Sequence, residues 1–179
     1  MGKNITKKTR YRATALAAAG LALGVLTATA PTASAATAQG FVNGWGDVSD
    51  DWSDEGLLST TQHANSGATG LWQLVLWKDG YLSESDVDCK FGPKTKAATQ
   101  AWQTHYLGSS EADGVVGSKT FGEASKHLSS TDNGFSVAYV GRNGDKYLSR
   151  NVNNGEYAFN TDYTNGFVEA SYSSSTNCR

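Results

Sequence analysis

The chain has 179 residues, 15 Lys and Arg against 17 Asp and Glu, five Trp and two Cys. Five of the basic residues, Lys3, Lys7, Lys8, Arg10 and Arg12, crowd the start, so the remainder carries ten basic groups against 17 acidic ones, a net charge of −7. That balance excludes nucleic acid or a teichoic-acid-like polyanion as a partner, since either is repelled over most of the surface.

The first element is a leader over residues 1–35. A basic start is followed by an apolar run over residues 13–26 and by Ala33-Ser34-Ala35, a small-residue cleavage site. The run is shorter than the ~20 residues that span a bilayer, and no lipidation cysteine follows. The expectation is export with cleavage after Ala35, no membrane attachment afterwards, and an extracellular or wall-associated location. The 144 residues left suit one domain, which at that size buries ~68–70% of the surface its unfolded chain exposes.

Residues 36–67 form an acidic Gly/Ser-rich segment centred on "GDVSDDWSDEGLL". It reads as an exposed acidic turn. A calcium loop is not met, because Trp52 and Leu58 stand where glycine and glutamate are needed. Residues 68–128 carry the helical signals. Trp72, Val75 and Leu76 share one face of a first helix that ends at Gly80. Leu74 and Trp77 point to its other side, which another part of the chain or a ligand must cover. Gly92-Pro93 opens a second helix, with proline at the first position, where its missing N–H costs nothing; Ala98, Ala101, Trp102 and Tyr106 form its core stripe. A third helix begins after Gly117 and buries Phe121, Ala124 and Leu128. Residues 129–179 form a β-rich extension: "FSVAYVG" places Phe135, Val137 and Tyr139 on one face, Asn143-Gly144 is a two-residue hairpin turn, "YLSRN" returns, and "GEYAFN" and "GFVEASY" are two further strands. In an oxidising compartment the even pair Cys89 and Cys178 most often forms a bridge, closing a loop of 89 residues.

One motif occurs twice. Asp88-Cys89-Lys90-Phe91-Gly92-Pro93-Lys94-Thr95 and Asp113-Gly114-Val115-Val116-Gly117-Ser118-Lys119-Thr120 share the order Asp, two variable positions, an apolar residue, Gly, one variable position, Lys, Thr. Each copy supplies an acidic turn residue, an apolar plug, a glycine before the helix and a threonine able to bond local backbone. With "WQLVLWKDGY", "FGPKTKAATQAWQ" and "DGVVGSKTF", residues 70–128 resemble the small three-helix peptidoglycan-binding domain of secreted cell-wall hydrolases. Cys89 departs from that family's glycine, and "YLSESDVDC" is a longer turn than its usual one.

The resemblance implies a mainly α fold, a three-helix peptidoglycan-binding-like core with a C-terminal antiparallel β extension, α+β overall. It also implies peptidoglycan or muropeptide as the partner, bound in a groove beside the first acidic turn. The positions carried over are Tyr81, Asp88, Phe91 and Thr95, flanked by Lys90 and Lys94, whose ammonium groups suit a stem-peptide carboxylate.

Catalytic patterns are not found. His63, His105 and His127 stand alone, without HxH or HExxH spacing for a metal; no Gly-x-Ser-x-Gly, phosphate loop or nucleotide fingerprint occurs. Asp50, Asp51, Asp54 and Glu55 supply carboxylates for a glycosidase by number alone. No cofactor is implied. The expectation is a secreted, non-catalytic wall-binding protein, and the alternative is an interaction or inhibitor protein for another extracellular protein such as a wall hydrolase. Trp45 and Trp52, in a polar glycine-rich zone, are the second place to look for a ligand contact.

Overall fold

The computed structural model describes residues 40–130, 136–173 and 178. The leader and Phe135 lie outside them. Three helices, α1 (Gly67–Lys78), α2 (Pro93–Tyr106) and α3 (Ser118–Ser125), precede five strands, β1 (Leu128–Ser130), β2 (Ser136–Gly141), β3 (Gly144–Arg150), β4 (Tyr157–Phe159) and β5 (Val168–Glu169). The strands form one antiparallel sheet in sequence order.

This corrects the expected mainly α fold. The helices are short and the sheet is a full layer of the same core, so the molecule is α+β and not a three-helix bundle with an appendage. The reason lies in α1, which is buried from Gly67 through Leu76. A Cβ at Gly67 would fall 1.8 Å from the Glu169 carbonyl oxygen, and one at Gly70 would fall 2.5 Å from Phe159. Two glycines one turn apart thus let β4 and β5 lie directly on the helix. On another side Trp72 meets Trp102 of α2 and Phe121 of α3 edge to face, with ring centroids 5.1 and 5.7 Å apart. The chain itself therefore covers the side carrying Leu74, which is fully buried.

Smaller differences have local causes. Leu128 is buried from β1, paired with Tyr139, because α3 stops at Ser125, whose hydroxyl donates to the Ser49 carbonyl. Ala101 faces solvent while Ala98 and Trp102 are buried. The β2–β3 loop is Arg142-Asn143, one residue earlier than expected, with Gly144 (φ 94°) closing it opposite Gly141. Two bonds to the end of α1 fix it there: Asn143 N–H to the Lys78 carbonyl (2.7 Å) and Arg142 N–H to Asp79 Oδ1 (3.2 Å).

The two motif copies are the same object. Gln73 Nε2 donates to Asp88 Oδ1, the Lys90 carbonyl and Thr95 Oγ1 at 2.9 to 3.0 Å, while its Oε1 accepts from Asp88 and Cys89 N–H. Gln103 Nε2 donates to Asp113 Oδ1, the Val115 carbonyl and Thr120 Oγ1 at 2.8 to 3.1 Å, and its Oε1 accepts from Gly114 N–H. A buried amide so fully engaged fixes the turn that starts the next helix. The position after each aspartate is left-handed, φ 61° at Cys89 and 75° at Gly114, a conformation that favours glycine. Residues 58–65 link the copies: Leu58 bridges Val116, and Asn65 bridges Lys90.

Candidate functional site

The residues expected to bind ligand fall into two groups. Asp88, Phe91 and Thr95 serve the first glutamine hub: Phe91 and Thr95 are buried, and the Asp88 carboxylate accepts from Gln73 and from Lys90 N–H. Tyr81, Lys90 and Lys94 remain on the surface. Tyr81 is half-buried, with Arg142 donating to its hydroxyl (3.2 Å), and Lys94 pairs with Asp86 at 2.7 Å. That pair, with the Ser83 bonds, holds the Asp86 carboxyl below its ordinary range. Cys89 and Cys178 are a disulfide-capable pair, their Cα atoms 5.8 Å apart. The β4–β5 loop reaches the same surface, with Asp162 N–H donating to Glu84 Oε1 (3.0 Å).

The acidic segment, expected to be a solvated turn, is instead partly core. Asp47 does cap the turn Val48–Asp50, accepting from Ser49 N–H at 2.9 Å. Asp51, however, is buried: its Oδ2 accepts from the Tyr157 hydroxyl and from Arg150 (3.0 Å), itself buried. Burial pushes the Asp51 carboxyl up, opposed by Tyr157 and Arg150. Glu55 is fully buried as well, accepting from Asn43 N–H (2.8 Å) and the Tyr172 hydroxyl (2.6 Å), and burial raises its carboxyl to about 7. Both of its oxygens are thus engaged, Oε1 by Asn43 and Oε2 by Tyr172.

These buried anchors shape an open cleft of about 430 Å³ lined by Asn43, Gly44, Trp45, Asp50, Asp51, Ser53 and Asp54. Trp45 stands beside it and is 60% exposed, whereas Trp52 is fully buried among Phe121, Tyr139 and Tyr157. The indole is held in place from behind. Gly155 (φ 71°), in the β3–β4 turn, lies so close that a Cβ there would fall 3.2 Å from Trp45 Cε2 and 2.4 Å from the Gly44 carbonyl oxygen. Arg150 also donates weakly to the Gly46 carbonyl, at 3.4 to 3.5 Å, next to Trp45. A smaller cleft of about 150 Å³ opens at the second motif between Leu57, Leu107, Val115 and Lys119.

Among the described residues no group of three or more His, Cys, Asp or Glu is arranged to hold a metal ion. His63 bonds the Tyr172 carbonyl (2.8 Å), while His105 and His127 flank Tyr106. No family model, curated protein or solved structure matches the chain.

Sequence reasoning named Trp45 only as a second choice, named Asp51 only as one carboxylate of an exposed acidic turn, and missed Arg150 and Gly155. The signal for Trp45 was a tryptophan among glycines and acids. Nothing local pointed to Arg150 or Gly155, which reach the cleft from the sheet.

Proposed function

We propose that the protein is a secreted, non-catalytic cell-wall protein that binds peptidoglycan, with the glycan laid against Trp45. The observation that carries this reading is an exposed indole, braced from behind by Gly155, beside an open cleft lined by hydroxyl, amide and carboxylate groups. Aromatic faces take sugar C–H surfaces, and a few polar groups fix orientation. The twofold motif supports the same reading through its resemblance to peptidoglycan-binding domains.

Sedimentation with purified cell wall tests it. The protein should pellet with the wall, and Trp45→Ala should reduce pelleting at least ten-fold with its thermal transition unchanged. If the double variant Lys90→Ala/Lys94→Ala loses pelleting and Trp45→Ala does not, the site is the first acidic turn. No pelleting by the wild-type protein overturns the reading. It would favour a protein partner, for which the exposed Val140, Tyr147, Tyr163 and Phe167 on and beside the sheet offer an apolar surface.

A further inference from the structure

We infer that the smaller cleft, at the second motif, is a socket for one aliphatic side chain of leucine or isoleucine size, carried between basic residues on a segment of another protein. The inference goes beyond the Trp45 reading and does not depend on it.

The socket is built from residues that the fold holds still. Leu58 is fully buried and exchanges both backbone bonds with Val116, at 2.8 and 2.9 Å. On the other side of Leu57, Gly56 packs so closely that a Cβ there would fall 2.9 Å from Gly117 Cα. Leu57 is fixed between these two anchors, yet it stays 37% exposed and forms one wall of the cleft that Leu107 and Val115 also line. A large apolar side chain held rigid at the surface of a concavity marks a place for a partner. Gly117 keeps the space open. A Cβ on it would meet nothing but Leu57 Cδ1, at 3.9 Å, and its φ of −115° is open to any residue, so the backbone does not require glycine there.

Size and polarity then select the guest. The cleft holds about 150 Å³, the room of a benzene-sized group and well under the ~300 Å³ at which pockets begin to take whole small molecules. A group protruding from a larger body fits it. The polar side chains of the wall are spent on the second hub, since Gln103 Nε2 donates to Asp113 Oδ1, the Val115 carbonyl and Thr120 Oγ1. A hydrocarbon group gives up no hydrogen bond on entering such walls, whereas a sugar ring would leave hydroxyls unpaired. At the rim Glu111 and Asp113 stand against Lys119, which pairs with Glu111 at 2.8 Å, so one negative charge is in excess. Basic residues on either side of the guest complement it. An anchor side chain seated in a preformed pocket, with charges confined to the rim, is the form that supplies most of the energy of protein interfaces.

Backbone-amide NMR of the isotope-labelled protein at low salt tests this, with acetyl-Gly-Lys-Leu-Lys-Gly-amide as the probe. The peptide should shift the amides of Leu57, Val115 and Gly117 saturably. It should bind several-fold more tightly than the same peptide with alanine for leucine, or with glutamates for the lysines. Gly117→Leu should fill the socket and abolish these shifts with its thermal transition unchanged, and Leu57→Ala, which removes a wall at an exposed position, should weaken binding several-fold. The absence of saturable shifts at the three amides, equal binding of the alanine or glutamate peptide, or full binding by Gly117→Leu overturns the inference. A β-1,4-linked N-acetylglucosamine tetramer that shifts the same amides in preference to the peptide also overturns it and makes the cleft part of a wall site. Trp45→Ala should leave peptide binding as it is, so a failure here and a failure of the wall reading are told apart.

Discussion

Glu55 sits with no exposure between Asn43 N–H and the Tyr172 hydroxyl, and its carboxyl is raised from 4.5 to about 7 by burial, against the opposing pull of those two bonds. A carboxyl raised on folding binds its proton more tightly in the native state. Its contribution is therefore fully present below the unfolded value near 4.5 and is lost as pH rises through about 7. The shift corresponds to about 3 kcal/mol across that window. Denaturant unfolding at a series of pH values should show stability falling from pH 5 to pH 8, and Glu55→Gln should flatten the slope. An unchanged slope in that variant would assign the dependence to another group, with Asp51, raised in the same direction, the next to replace. None of this was legible in "DVSDDWSDEG". Whether a carboxylate in that run is solvated or buried is decided by Arg150 and Tyr157 for Asp51 and by Tyr172 for Glu55, all more than ninety positions away.

At the scale of the element, the glutamine hubs explain why one turn appears twice. The two copies differ in span, Gln73 lying 15 positions before Asp88 and Gln103 ten before Asp113, yet in each the glutamine Nε2 donates to the aspartate, to a backbone carbonyl and to the threonine of its motif. Each copy has a 3₁₀ turn ending two residues before its aspartate, Glu84–Asp86 and Ser109–Glu111, so the extra length of the first lies earlier, between Gln73 and Glu84. Replacing Gln103 with Ala removes the partners of Gly114 N–H and the Val115 carbonyl together, and should cost about 3 kcal/mol or more. Gln103→Glu should be no milder, because it sets a carboxylate against Asp113 Oδ1 and the Val115 carbonyl. Urea unfolding curves check both; a loss under 1 kcal/mol in each would show the hub to be dispensable. The turn residues were legible because they repeat. The hubs were present too, as Trp72-Gln73 and Trp102-Gln103, but a glutamine beside a core tryptophan reads as a surface residue until its acceptors are known. The starts of α2 and α3 were legible, since Gly92-Pro93 and Gly117 mark them, but the end of α3 was not, and Leu128 falls in β1. The role of the sheet was not, because Gly67 and Gly70 look like weak helix formers and show their purpose only against Phe159 and Glu169.

Across the whole molecule a chain of rings runs from the helices to the sheet: Trp102 to Trp72, Phe121, Trp52 and Tyr157, each pair 5.1 to 6.0 Å apart. Asp79 joins the same layers, accepting from Trp102 Nε1 and the Tyr139 hydroxyl, both at 2.7 Å. The Cys89–Cys178 pair adds a connection across 89 positions. Thiol titration of the denatured, unreduced protein should find no free thiol, and Cys178→Ser should lower the melting temperature through the loss of at most ~4–5 kcal/mol. Cys89→Gly should be less harmful than Cys89→Ser by about 1 kcal/mol, because both lose the bond while only glycine suits φ 61°. Two free thiols, or equal melting of the two Cys89 variants, would contradict these expectations.

Residues 41–43 settle beside strands made far later in the chain: Phe41 bridges Ser171, Asn43 bridges Glu156, and Val42 exchanges backbone bonds with Tyr157 and Ala170. A polypeptide emerging from its N-terminus must carry this segment without those partners until residue 171 has followed. Local helices form early, but the assembly of residues 41–43 with β4 and β5 waits for contacts over a hundred positions apart, which places folding toward the millisecond-to-second range of non-local topologies. Until that moment the side chain of Val42 has no core to enter, and a chain cut short before β5 stays open along that seam.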